Sequence, residues 1–248
     1  MVKLRNSALA AIGPVPGHGG SFARQRRAAK TLRRRAGLGL PLVNAVRAKR
    51  SYRALTARDL DFLERYAALL ADERIDLDGY AALFAPKAGD LAGDITPGYS
   101  RLDAEAIAAF ARRFPETRVI YIARDPIERL WSHILMTARR NKSIERITLE
   151  RTMKFARRPM VRLRCTNTEV VRRWRARVAD GRFGLFVFDD IRDEPAAARR
   201  AILAFLGTDA EAPSGALPPD FNRKSRERKV AMPDDIRAAL VAEFADEL

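Results

Sequence analysis

Short apolar runs and longer stripes of three- and four-residue spacing alternate along this chain. Residues 119–123 (V-I-Y-I-A) form an apolar run rich in β-branched and aromatic character, bounded by charge. It is too short for a helix and predicts a buried, parallel strand. Residues 184–191 (G-L-F-V-F-D-D-I) form a second run and predict a second, central strand. Helical spacing joins Leu60, Phe62, Leu63, Tyr66, Leu69 and Leu70, and predicts a helix ending near Asp72. A short helix is expected over residues 80–84, stopped by Pro86. Another is expected over 102–114, with Leu102, Ile107, Phe110 and Ala111 inside, Asp103 as N-cap and Pro115 after its end. A helix from about Ile127 runs on through Trp131, Ile134, Leu135 and Met136. Residues 137–167 read as irregular, and helical spacing resumes through Val170, Val171, Trp174 and Val178. Pro195 opens a helix through Ala201, Ile202, Phe205 and Leu206 that Gly207 ends, and Met232-Pro233-Asp234 introduces a last one with Ile236, Leu240 and Phe244. Helix 102–114 leading into strand 119–123 predicts a βαβ unit, and the alternation as a whole predicts an α/β fold.

Composition narrows this picture. A chain of 248 residues with 47% apolar residues can bury a real core, which excludes global disorder. The organisation expected is a basic segment over residues 1–40 and one α/β domain over 41–248. Cys165 is the sole cysteine. It excludes an intramolecular disulfide framework and fits a reducing compartment. No apolar run approaches membrane-span length, and residues 1–13 are too short for a signal-peptide core, so the expectation is a non-secreted, cytoplasmic protein without a transmembrane segment.

Charge adds one asymmetry. Fourteen of the sixteen net positive charges lie in residues 1–58, which contain no Asp or Glu. Such an arm can bind nucleic acid, acidic polysaccharide or an anionic surface, or can simply be a solvated basic tail. A second basic stretch, residues 137–167, holds ten Lys and Arg.

The candidate chemistry centres on residues 118–133, R-V-I-Y-I-A-R-D-P-I-E-R-L-W-S-H. Pro126 cannot continue a central strand but suits the first turn of a helix, with Asp125 as N-cap. A strand that stops at Arg124 and turns into a helix N-terminus can make an anion site, with Arg124 and Ser132 closing on the ligand. In parallel sheets, ligands bind at this carboxyl end. An ordinary capped junction is the plainer alternative. His133, beside Trp131, reads as packing rather than as an acid–base group.

The segment R-D-P-I-E-R-L-W-S-H resembles the 3′-phosphate-binding segment of sulfotransferases that use 3′-phosphoadenosine 5′-phosphosulfate (PAPS). The resemblance implies that Arg124 and Ser132 hold the 3′-phosphate. Residues 93–99, G-D-I-T-P-G-Y, are similar to the G-E-x-T-P-x-Y segment of bacterial and heparan-type relatives. Asp94 then takes the place of the base that deprotonates the acceptor, with Thr96 and Tyr99 shaping the pocket. The same residues also read as a loop Asp before a Thr-Pro turn. F-D-D-I at 188–191 and A-F-L-G at 204–207 resemble later family segments. The N-terminal phosphate loop, K-x-G-T-T in the family, has its candidate in residues 13–22: Gly19, Gly20 and Ser21 could take the G-T-T places, but Gly17 stands where Lys belongs. A flexible turn is the alternative reading there. Arg223 or Lys224, in a basic segment near the family's nucleotide-closing loop, could add a phosphate contact; a flexible charged loop is the alternative reading.

The resemblance covers residues 80–245. It implies a three-layer, P-loop-NTPase-like sulfotransferase fold with a central parallel sheet, PAPS as sulfuryl donor and no metal. The implied acceptor is a hydroxyl or amine on a carbohydrate or small metabolite. A basic lip at 137–167 suits an anionic acceptor such as an acidic or sulfated sugar. Two other readings stay open: a catalytically impaired relative that binds nucleotide without the loop Lys, and a nucleic-acid-binding protein acting through the basic arm. A phosphate-loop kinase is disfavoured, since no G-x-x-x-x-G-K-[ST] occurs.

Overall fold

The structure, a computed structural model, describes residues 57–69, 76–85, 91–213 and 230–248. The chain divides into two compact units, Met1–Arg113 and Phe114–Leu248. The expected boundary near residue 40 lies outside the described residues.

The described part of the first unit is helical. Helix α1 (Ala57–Leu69) buries Tyr66 and Leu69, with the Phe62 and Tyr66 rings stacked at 6.2 Å. Helix α2 (Leu77–Ala82) starts earlier than the apolar pattern suggests, because the Asp76 carboxylate accepts the Gly79 N–H at 2.7 Å and caps it. After a 3₁₀ turn over Pro97–Arg101, helix α3 (Ala104–Arg113) begins where Asp103 accepts the Ala106 N–H at 2.8 Å. It buries Ile107 and Phe110, as predicted, together with Ala106, while Ala111 is half-buried.

The second unit is mixed α/β with a parallel sheet. Strand β1 (Val119–Ala123) pairs in parallel with β2 (Phe183–Val187), in register from Val119↔Phe183 to Ala123↔Val187. Helices α4 (Pro126–Arg140), α5 (Leu149–Ala156), α6 (Pro159–Cys165) and α7 (Asn167–Arg175) connect them. These helices form the crossover between the two described strands. Helices α8 (Phe188–Asp193) and α9 (Pro195–Leu206) follow β2, and α10 (Asp234–Glu243) completes the unit.

Three expectations are corrected here. The second strand ends at Val187 rather than Ile191; Phe188 to Ile191 belong to α8, where Asp189 and Asp190 fill the first helical turn and suit its dipole. Neither strand is fully buried: Ile122, Leu185 and Val187 are exposed. The basic stretch expected to be irregular holds two short helices. Thr148 caps α5 by accepting the Arg151 N–H at 3.3 Å, and Pro159 opens α6. Their buried positions, Thr152 with Ala156 and Val161 with Cys165, keep a spacing of four.

The core of the second unit lies along α4. Ile127, Leu130, Trp131, Ile134, Leu135 and Ala138 form one buried stripe at helical spacing. Ile236, Leu240 and Phe244 of α10 pack against it together with Ala156, Val161 and Cys165. Trp131 donates its indole N–H to the Val230 carbonyl at 3.1 Å, so its polar tip is satisfied. Cys165 is a free thiol, and burial pushes its pKa up. Gly207 ends α9 in the left-handed region at φ 70, as its position predicted.

Gly184 is buried where β2 meets α9. A methyl group there would lie 2.9 Å from the Phe186 ring and 3.0 Å from the Phe205 ring. Gly184→Ala is expected to destabilise the protein by about 1–3 kcal/mol through overpacking. Denaturant unfolding would read this as a lowered midpoint at constant slope. An unchanged midpoint would show that the rings move aside freely.

Candidate functional site

The strand–helix junction forms as the local sequence dictates. β1 ends at Ala123, Asp125 caps α4 by accepting the Glu128 N–H at 2.8 Å, and Pro126 takes the first helical position. These caps change how the helix end can be used. Pro126 has no N–H, the Glu128 N–H bonds the Asp125 carboxylate, and the Arg129 N–H bonds the Asp125 carbonyl at 3.0 Å.

Arg124 stands at the carboxyl end of β1, half-buried, with its guanidinium carbon 4.7 Å from the centre of the Phe188 ring. Stacking uses the flat face of the guanidinium and leaves its in-plane N–H donors to reach an oxyanion. Among the described residues, no carboxylate pairs with it. Its backbone carbonyl accepts the Asn167 side-chain N–H at 3.0 Å, and the Tyr121 hydroxyl donates to Asn167 Oδ1 at 2.8 Å. Ser132 is exposed on α4, one turn beyond Glu128 and Arg129 on the same face. Glu128 is offset by Arg237, 3.0 Å away, so its charge at this helix end is partly neutralised. His133 packs edge-on against Phe155 at 5.1 Å; burial and then Arg164, Arg129 and Arg140 push its pKa down. It is a neutral packing residue, as its sequence context suggested.

Asp94 belongs to the first unit, on the segment before the 3₁₀ turn. Its Oδ1 accepts the Thr96 hydroxyl at 3.0 Å. Its Oδ2 accepts the Tyr99 hydroxyl and, at a long 3.5 Å, that of Tyr80. Burial, and with it the Asp94 charge, pushes the Tyr66 hydroxyl up to about 12. Tyr80 is driven higher by the same two causes, and Tyr99 by burial, Tyr80 and Asp94. All three phenols therefore stay protonated at any physiological pH. A carboxylate offers about four lone-pair positions. Among the described residues, one hydroxyl bonds Oδ1 and two bond Oδ2, which leaves a position on Oδ1.

Much of the charge in the basic stretch is engaged: Arg158 lies over the Phe155 ring, 5.3 Å from its centre. Arg157 and Arg162 clamp Glu243 of α10 at 2.9 and 2.8 Å, and Arg162 also lies over the Phe244 ring. Lys154 and Arg158 line an open depression with Glu150, Met153 and Arg157. Gly19, Gly20, Ser21 and Lys224 lie outside the described residues. Sequence reasoning missed Asn167, Tyr121, Phe188 and the Tyr80 contact. Tyr121 carried a faint signal, as a hydroxyl inside an apolar strand; Asn167 carried none.

A family model for the sulfotransferase family matches residues 23–212. The chain belongs to the sulfotransferase family. The match begins after the glycine-rich segment, so it does not cover Gly19, Gly20 and Ser21. No curated protein sequence matches the chain. The structure is similar to the crystal structure of a sulfotransferase from Alicyclobacillus acidocaldarius, with a TM-score of 0.52 and 20% identity over 70% of this chain and 68% of that one. At that identity the likeness bears on the fold, and it agrees with the α/β, parallel-sheet architecture expected of a sulfotransferase. Among the described residues, no helix is long and apolar enough to cross a membrane, and no cluster of His, Cys, Asp and Glu could hold a metal ion.

Proposed function

We propose that this sulfotransferase moves a sulfuryl group from PAPS to a hydroxyl or amine of a carbohydrate or small metabolite. The observation that carries the donor assignment is Arg124. It sits at the carboxyl end of a parallel strand, stacked on Phe188, at the head of a helix that carries Ser132. Arg124 and Ser132 bind the 3′-phosphate, Arg124 as a charge-assisted fork and Ser132 as a hydroxyl donor. Asp94 takes the proton of the acceptor through its open Oδ1 position. The acceptor oxygen or nitrogen bonds to sulfur as the bond to the bridging phosphate oxygen breaks, and adenosine 3′,5′-bisphosphate leaves. Lys154 and Arg158 favour an anionic acceptor.

Incubation with PAPS and a panel of neutral and anionic saccharides tests this. The expected result is release of adenosine 3′,5′-bisphosphate with a matching sulfated product, faster on anionic saccharides and slowed by salt. PAPS binding without transfer to any acceptor would favour the second reading, a catalytically impaired relative. Gly17, at the place of the family's loop Lys, is the observation behind that reading.

A further inference from the structure

We infer that Asn167, Tyr121 and Phe188 are positioning residues that hold Arg124 in its phosphate-binding pose. The inference rests on the reading of Arg124 as a 3′-phosphate ligand. β1 and β2 pair as far as Ala123↔Val187, so the Arg124 peptide is the first that the strand ladder no longer holds. Asn167, the first residue of α7, takes over. Its side-chain N–H donates to the Arg124 carbonyl at 3.0 Å. A carbonyl can only accept, which turns the amide oxygen of Asn167 toward the Tyr121 hydroxyl at 2.8 Å. The Tyr121 hydroxyl in turn has Arg129 of α4 beside it. Strand β1, helix α4 and helix α7 thus meet in one chain of contacts that ends on the Arg124 carbonyl.

Phe188 holds the other end of the residue. It follows Val187, the register partner of Ala123, just as Arg124 follows Ala123. The parallel pairing therefore delivers ring and guanidinium side by side, 4.7 Å apart. An arginine anchored at its backbone and stacked at its head has fewer rotamers to lose when a phosphate arrives. The three residues raise affinity without touching the nucleotide.

Calorimetric titration of the full chain and its Asn167→Asp, Tyr121→Phe, Phe188→Leu and Phe188→Tyr variants tests this, with adenosine 3′,5′-bisphosphate and adenosine 5′-monophosphate as ligands. Asn167→Asp keeps an acceptor for Tyr121 and removes the donor to Arg124; Phe188→Tyr keeps the ring. The first three variants are expected to bind the bisphosphate about five- to thirtyfold more weakly, with monophosphate affinity unchanged, while Phe188→Tyr binds like wild type. Thermal unfolding of each variant separates positioning from folding. If wild type discriminates and the variants do so equally well, the positioning role is overturned and Arg124 keeps its own. Equal weakening toward both nucleotides with a lowered Tm would also overturn it, in favour of a structural role. A wild type that does not discriminate would overturn the Arg124 reading and this inference with it.

Discussion

Asp94→Asn is expected to lower kcat for sulfuryl transfer by about 10²- to 10⁴-fold, the usual contribution of a general base. Nucleotide affinity should stay within about twofold, because the change removes a proton acceptor and no phosphate ligand. The amide matches the carboxylate in shape. Its oxygen can still accept the Thr96 hydroxyl, which now bonds Oδ1 at 3.0 Å. Its NH₂ group then faces Tyr99 and Tyr80, whose hydroxyls can rotate to accept rather than donate. The fold therefore loses little, and thermal unfolding should place the variant close to wild type. An asparagine carries no lone pair that can hold the acceptor proton at neutral pH, so a fall in kcat with unchanged Tm reports the chemistry alone. Unchanged kcat would mean that Asp94 only anchors the turn over Pro97–Arg101 and that the proton leaves by another route.

Arg124→Ala is expected to weaken adenosine 3′,5′-bisphosphate binding on the order of 100-fold. One hydrogen bond to a charged group contributes about 1.5–3 kcal/mol, and an arginine fork can make two. The effect should be confined to the 3′-phosphate: affinity for adenosine 5′-monophosphate should hardly move. Arg124→Lys should recover only part of the loss, since a point charge neither forks nor stacks on Phe188 as a guanidinium does. Rising salt should narrow the gap between wild type and variant. Equal loss toward both nucleotides would assign Arg124 to the shape of the junction instead.

The junction was legible in the sequence because its determinants are local. Asp125 and Pro126 specify a cap and a first turn wherever they occur together, and Gly207 specifies a left-handed helix end in the same way. The stripe from Ile127 to Ala138 was legible for the same reason, since its period is carried by large apolar residues. Three features were not. Phe188 and Ile191 prolong an apolar run past the point where β2 stops, so hydropathy alone overran the strand into α8. α5 and α6 hide behind arginines, because, of their four buried positions, Thr152, Ala156, Val161 and Cys165, only Val161 is a branched aliphatic. Asn167 contacts Arg124 across 43 positions, and no local pattern marks such a pairing. Asp94 was found by resemblance, but the tyrosines around it come from three elements that only the fold gathers.

On the proposed function, the β1–α4 junction binds a nucleotide through its 3′-phosphate. Titration of the wild-type chain by calorimetry, with adenosine 3′,5′-bisphosphate and then adenosine 5′-monophosphate, tests it most directly. The bisphosphate is expected to bind at least about tenfold tighter, the contribution of one charge-assisted contact. Equal affinity for the two nucleotides, or no binding of either, would contradict it.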